Sequence, residues 1–352
     1  MNHINILKRA FTITVNYRAL WVFGMLLALT TGTQSFNSGG STGSSSASTN
    51  NTHPQFNPQH PFSGFPQLSI SPAITSILIG IAIALACLVL ILIVVGTFVR
   101  YISETALIRM VDENEKTGEK LTIRQGFRLG WSHQAWKMFL MDLLVGLGFL
   151  VALLVLLALA ALPLLVWLTQ NTPLHVLGTI VSVGLILLVV FAAIVAGLGI
   201  SLIVLFARRA LALEDLGVRD SLRRGYQMVR QHLGDAVMMG IMMFGVGLLW
   251  VIVTIPAILA IIIAAAIVAG LPALLAGAIV GIFAHGVTPW IVAAFVGAPI
   301  FLIVVIIPGA LIGGWQKVFS SSAWTLTYRE TLALEQVKAN GELPAPAGAP
   351  MG

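Results

Sequence analysis

Between Asp142 and Arg208 the chain reads LLVGLGFLVALLVLLALAALPLLVWLTQNTPLHVLGTIVSVGLILLVVFAAIVAGLGISLIVLFA, residues 143–207, with no Asp, Glu, Lys or Arg. These 65 residues have two counterparts of 81 residues each, Ala19 to Val99 and Ala236 to Gln316, also free of those four residue types. A helix rises ~1.5 Å per residue and the hydrocarbon core of a bilayer is ~30 Å thick, so a span needs ~20 apolar residues. Each charge-free stretch therefore holds two spans joined by a turn. All 32 charges fall in the four segments outside them, with Lys+Arg counts of 3, 7, 6 and 3 along the chain. Cytoplasmic segments carry the excess of Lys and Arg, which predicts charged hairpin ends inside and uncharged turns outside.

The whole composition agrees. Of the 352 residues, 58% are apolar and only 9% charged, and the mean hydropathy is +0.96. A typical soluble domain carries about 25% charged residues, so a water-soluble globule is excluded, as is a separate soluble catalytic domain. The predicted fold class is all-α, a polytopic membrane helix bundle. Its six spans are placed at Ala19–Gly32, Ile74–Val99, Met138–Leu168, Leu177–Phe206, Ala236–Ala269 and Pro289–Gln316. Both termini are then cytoplasmic, in the plasma or inner membrane. Tyr17, Tyr101, Tyr226, Tyr328, Trp21, Trp136 and Trp315 fall at inner helix ends or segments, and Trp167 and Trp290 at outer ones, as an interfacial aromatic belt requires. The first span is short, and its alternative reading is the apolar core of a signal peptide behind Lys8, Arg9 and Arg18. The Gly- and Pro-broken residues 270–285 read as a re-entrant half-helix, since a seventh span would put the Lys-bearing C-terminus outside.

Three charged segments share one pattern: aliphatic, basic, polar, small, aromatic, any, apolar. It reads Leu7 to Ile13, Ile123 to Leu129 and Leu222 to Met228. The register extends further, matching His133 to His232 and Phe23 to Phe139. A weaker signature closes each hairpin, in Phe98–Leu107, Phe206–Leu211 and Phe319–Trp324. The chain thus reads as one transmembrane domain, residues 1–334, built from parallel repeats at about 5–110, 121–215 and 220–330. The outer loop 33–72, rich in Ser, Asn, Gly and Pro, and the tail 335–352 are predicted to be flexible.

Ile123, Phe127 and Trp131 share a helical face, as do Leu222, Tyr226, Val229 and Leu233. Such helices suit the headgroup layer, rings toward hydrocarbon and cations toward lipid phosphate. The candidate headgroup contacts are Lys8, Arg9, Arg124, Arg128, Arg223 and Arg224. The competing reading is an anchoring elbow that sets the hairpin angle. The expected partners are membrane lipids with anionic headgroups on the cytoplasmic side, and the charge distribution does not point to nucleic acid. Asp112, Glu113 and Glu115, near Lys116, read as a solvated inner loop.

Catalytic and cofactor signatures are missing. No carboxylate, Lys or Arg occupies the middle of a span, where proton-coupled pumps usually carry one. There is no phosphate loop and no His-Glu-x-x-His motif. Cys87 is the single cysteine, so no intramolecular disulfide forms. His133 and His232 are symmetry-related and read as interfacial rather than metal-binding. No cofactor, metal or catalytic residue is expected.

The order of parts resembles the glycerophosphoryl diester phosphodiesterase membrane-domain family and its multi-pass bacterial relatives. The resemblance rests on Arg124 to Phe127 and Arg223 to Tyr226 before long charge-free hairpins. It also rests on Trp21-Val22-Phe23-Gly24 and Ser322-Ala323-Trp324-Thr325. It implies a membrane module without the soluble catalytic domain. The expectation is a non-enzymatic integral membrane protein that organises lipid or partners. The alternative is a permease or channel for a neutral or lipid-like substrate.

Overall fold

A computed structural model describes residues 2–31, 72–168, 172–283 and 288–340. Among them are nine α-helices and no strand: α1 (His3–Asn16), α2 (Ala19–Thr31), α3 (Pro72–Thr117), α4 (Ile123–Gly130), α5 (His133–Ala161), α6 (Thr172–Leu213), α7 (Val218–Gln231), α8 (Leu233–Phe283) and α9 (Thr288–Asn340). A 3-10 turn, Leu162–Leu168, follows α5 and contains Pro163. The all-α membrane-type class predicted from the sequence is the class observed. Five helices are long and apolar enough to cross a bilayer, and a sixth crossing is reached if α1 and α2, bent by 97°, count as one. The expected outer loop, apart from Pro72, and the tail beyond Asn340 lie outside the described residues.

Contacts divide the chain into two units, Met1–Gly39 with Phe98–Gly352, and Gly40–Thr97. The described part of the second unit is the apolar first half of α3, from residue 72 to 97, with Ile83, Leu90 and Ile93 exposed.

In the first unit, α5 pairs with α6 and α8 with α9, as two hairpins. Small residues set the α8–α9 approach. A Cβ at Gly277 would stand 3.1 Å from Ala293 Cβ and from the Pro289 carbonyl oxygen, and one at Gly297 would stand 2.8 Å from Ala273 Cβ. Ala265, Ala269 and Ala293 are buried on the same faces. Small residues one turn apart let helix backbones close up in lipid, where apolar burial alone gives no preference for protein over acyl chains. α2 meets α9 in the same way: a Cβ on Gly314 would lie 2.7 Å from the Met25 amide nitrogen, and Trp21 stacks edge-on to Trp315 at 5.5 Å.

Several boundaries differ from the sequence expectation. α8 runs unbroken through Pro256 and Pro272 to Phe283, so residues 270–283 continue a helix rather than form a re-entrant half-helix. A helix in lipid keeps its backbone bonded internally, and packing against α9 holds the proline turn in place. α3 runs on to Thr117, making Asp112, Glu113 and Glu115 helical; Asp112 is buried between Lys116 at 2.5 Å and Arg329 at 3.3 Å. α9 continues past residue 334 because Glu335 is held by Arg224 at 2.5 Å.

The buried core sits at the charged ends of the hairpins. One cluster joins Ile6, Leu20, Phe23, Leu107, Met110, Phe206, Met228, Val318, Trp324 and Tyr328. A second joins Tyr101, Ile102, Ile108, Met138, Met141, Ala207 and Leu211. The first draws on the closing segments of α3, α6 and α9, the second on those of α3 and α6 with the start of α5; these closing segments form a collar around which the short helices lie. Away from the collar, side chains such as Ile252 and Leu275 of α8 and Phe295 of α9 are exposed.

Candidate functional site

Each short helix reaches the collar through the small residue of its motif. Ala10 of α1 is fully buried, in one cluster with Val318 and Trp324 of α9. Gly126 of α4 lies against Met110 and Phe23, and Gly130 lies against Ile102 and Ala106. Gly225 of α7 lies against α6, where a Cβ would stand 2.7 Å from the Ile203 carbonyl oxygen and 2.8 Å from the Ala207 nitrogen. Any larger residue would push these helices off the collar.

The bends that follow are alike. α1 ends with the Tyr17 N–H donating to the Ile13 oxygen (2.9 Å), α4 with Trp131 to Phe127 (2.8 Å), and α7 with His232 to Met228 (3.0 Å). The first and third bends fall at the same motif position; the second comes two residues earlier. At the first bend the Trp21 indole donates to the Thr14 oxygen (2.6 Å), and the Tyr17 hydroxyl donates to the Leu121 oxygen (3.0 Å), tying this bend to the approach to α4. α7 follows a tight turn in which Asp215 has φ 53, a left-handed geometry that Asp tolerates. There its carboxylate accepts from Arg109 (2.5 Å) and from Gln134.

The six basic residues expected at headgroups divide into two sets. Lys8, Arg124, Arg128 and Arg223 are exposed, with no ion pair to any described residue. Beside them the motif rings Phe11, Phe127 and Tyr226 also face outward, as do Ile123 and Trp131. Arg9 and Arg224 instead point into the collar. Arg9 pairs with Glu115, and Arg224 pairs with Glu335 at 2.5 Å and with Glu214 at 3.7 Å. Burial alone would lower the Arg224 pKa, but the two carboxylates outweigh it and hold the guanidinium above its ordinary value.

A second polar group occupies the collar ends of the long helices. Arg208 of α6 clasps Asp142 of α5 with two nitrogens, at 3.1 and 2.6 Å, and Glu104 of α3 with the third, at 2.7 Å. Tyr101 donates to the same Asp142 at 3.0 Å, and the Arg100 guanidinium lies 5.5 Å from the Tyr101 ring centre. A two-pronged guanidinium–carboxylate pair fixes direction as well as charge, so this clasp locks α3, α5 and α6 together. Arg209 is buried and donates to the Leu205 oxygen at 2.6 Å. Lys317 of α9 lies within electrostatic range of Glu104, Arg100 and Arg208. Four cations therefore share this ground with two carboxylates.

A family model matches residues 8–323. The chain belongs to the family of unknown function DUF7544. No curated protein and no solved structure matches it. The family's shared part begins at Lys8 in the first short helix and ends at Ala323 on the last closing segment. The collar and its short helices therefore lie almost wholly within it.

No sequence motif contains this polar cluster, yet the sequence carries a sign of it. Arg100, Arg208 and Lys317 are the first charges after the three charge-free stretches, and Asp142 is the last charge before the second. Read as boundaries, they mark the ends of spans. Read as chemistry, Asp142 and Arg208 join Glu104 in one clasp, with Arg100 beside it. Among the described residues no group of three His, Cys, Asp or Glu is placed to hold a metal ion.

Proposed function

We propose that this membrane protein is a non-catalytic module that organises lipid or partner proteins, seated on anionic headgroups of the cytoplasmic leaflet through its three short helices. The observation that carries the reading is the outward face of those helices. Each presents a cation beside an exposed ring: Lys8 with Phe11, Arg124 and Arg128 with Phe127, and Arg223 with Tyr226. Rings of this kind favour the boundary between headgroup and hydrocarbon, and each nearby cation gains about 1 kcal/mol from an anionic surface. The threefold parallel repeat belongs to the same proposal. Its support is the shared order of small-residue contact, short helix, bend and long helix, at α1, α4 and α7.

The test is association with anionic nanodiscs of the full chain carrying Arg124→Glu and Arg223→Glu. Binding of anionic relative to zwitterionic lipid should fall several-fold or more, about 1 kcal/mol for each charge affected. The melting temperature should stay unchanged, because neither side chain pairs within the described residues. Unchanged lipid preference contradicts the proposal. For orientation, single cysteines replacing Ser45 and Gly341 in a Cys87→Ser background should react oppositely with an impermeant thiol reagent on intact cells. Labelling of both from outside contradicts cytoplasmic termini.

A further inference from the structure

We infer that Arg100, Arg208, Arg209 and Lys317 form a binding site for the phosphate of one anionic phospholipid, distinct from the exposed short-helix surface. Three of the four come from different long helices, α3, α6 and α9, in or just before their closing segments, and each of those three is the first charge beyond an apolar stretch. Arg208 spends its donors on Glu104 and Asp142, which neutralise two of the positive charges. The others are underused. Arg209 is only 6% exposed, and its Nε has no hydrogen-bond partner; the buried Nε of Arg100 has none either. Lys317 makes no ion pair or hydrogen bond with a described residue, yet sits in electrostatic range of two arginines. Like charges gathered with unspent donors at low dielectric are costly unless an anion joins them. A phosphate offers several strong acceptor oxygens and suits guanidinium donors. The level of the site, where charge-free helix gives way to charged collar, is the level of inner-leaflet phosphates. Acyl chains would then run along the exposed apolar faces beyond it, which favours a lipid over free phosphate.

The test is native mass spectrometry of the full chain in mild detergent, titrated with phosphatidylglycerol, with phosphatidylcholine, and with inorganic phosphate as competitor. The wild type should retain one phosphatidylglycerol in preference to phosphatidylcholine, and inorganic phosphate should not displace it. Replacing Arg100→Gln and Lys317→Gln together should weaken that retention about 30-fold, at ~1 kcal/mol per lost charge. The charge-keeping pair Arg100→Lys with Lys317→Arg should retain the lipid. Lipid-free melting temperature should be unchanged or raised in the Gln pair, because repulsion is relieved. An Arg124→Gln, Arg223→Gln control should keep this tight lipid, which separates the site from the proposed surface anchoring. The inference is overturned by equal retention in the Gln pair, by equal binding of phosphatidylcholine, or by displacement with inorganic phosphate, which assigns a free anion. A lower lipid-free melting temperature in the Gln pair also overturns it, by making the cations purely structural.

Discussion

The collar and the outer parts of the spans are both apolar, but they are built to different rules. In the collar, Leu107, Ile108, Phe206 and Tyr328 are buried, and ion pairs join one helix to another, Arg9 to Glu115, Arg208 to Glu104 and Asp142, and Arg329 to Asp112, or tie a helix to the turn before α7, as Arg109 does to Asp215. Along α8 and α9, Ile252, Leu275, Phe283 and Phe295 are exposed, and small residues such as Gly277, Gly297, Ala273 and Ala293 meet where the helices approach. The difference follows from solvent. Where water reaches the helix ends, burying a Leu or Phe is favourable and directional charges specify neighbours. In hydrocarbon a Leu gains little by leaving lipid for protein, so helices meet only where small side chains admit backbone-to-backbone packing. Tertiary specificity therefore concentrates in the collar, and the spans supply length.

The largest expected effect is at the collar clasp. Arg208→Met would leave Glu104 and Asp142 without their cation and should destabilise the protein by about 3–5 kcal/mol, read as a lowered melting temperature in detergent. Adding Glu104→Gln and Asp142→Asn should recover much of the loss. No recovery would mean that the clasp matters for shape and not for charge. A smaller effect is expected from Gly225→Leu, which forces a side chain into the α6 backbone and should cost roughly 1–3 kcal/mol, whereas Gly245→Leu on α8, with open space around it, should cost much less. Equal losses at the two glycines would erase the distinction between collar and span.

Much of this division is legible in the sequence. The three charge-free stretches give the long helices, and the repeated basic–small–aromatic motif gives the short ones, because helix length and amphipathic period are local properties. What was not legible depends on partners distant in the chain. Arg9 and Arg224 occupy equivalent motif positions and read as headgroup contacts. They turn inward because Glu115 and Glu335 lie on helices that cross there, a hundred or so residues away. Asp112 looked solvated because its partner Arg329 comes from α9. Pro272 looked like a break because a soluble helix would lose a hydrogen bond there at some cost, whereas helix pairing holds it within α8. Of the candidate site, the exposed cations were found by pattern. The polar cluster at the collar is not legible because its members are scattered singly, at the edges of different stretches.

The most direct test compares two leucines in one full-length protein reconstituted in nanodiscs, by thermal or denaturant unfolding. Leu107 is fully buried in the collar and Leu275 is exposed on α8. Leu107→Ala should cost about 2–5 kcal/mol through lost contacts and a residual cavity, and Leu275→Ala should cost within about 0.5 kcal/mol of nothing, as expected for an exposed site. Equal destabilisation by the two substitutions, or a larger loss at Leu275, would contradict the claim that the collar holds the fold together.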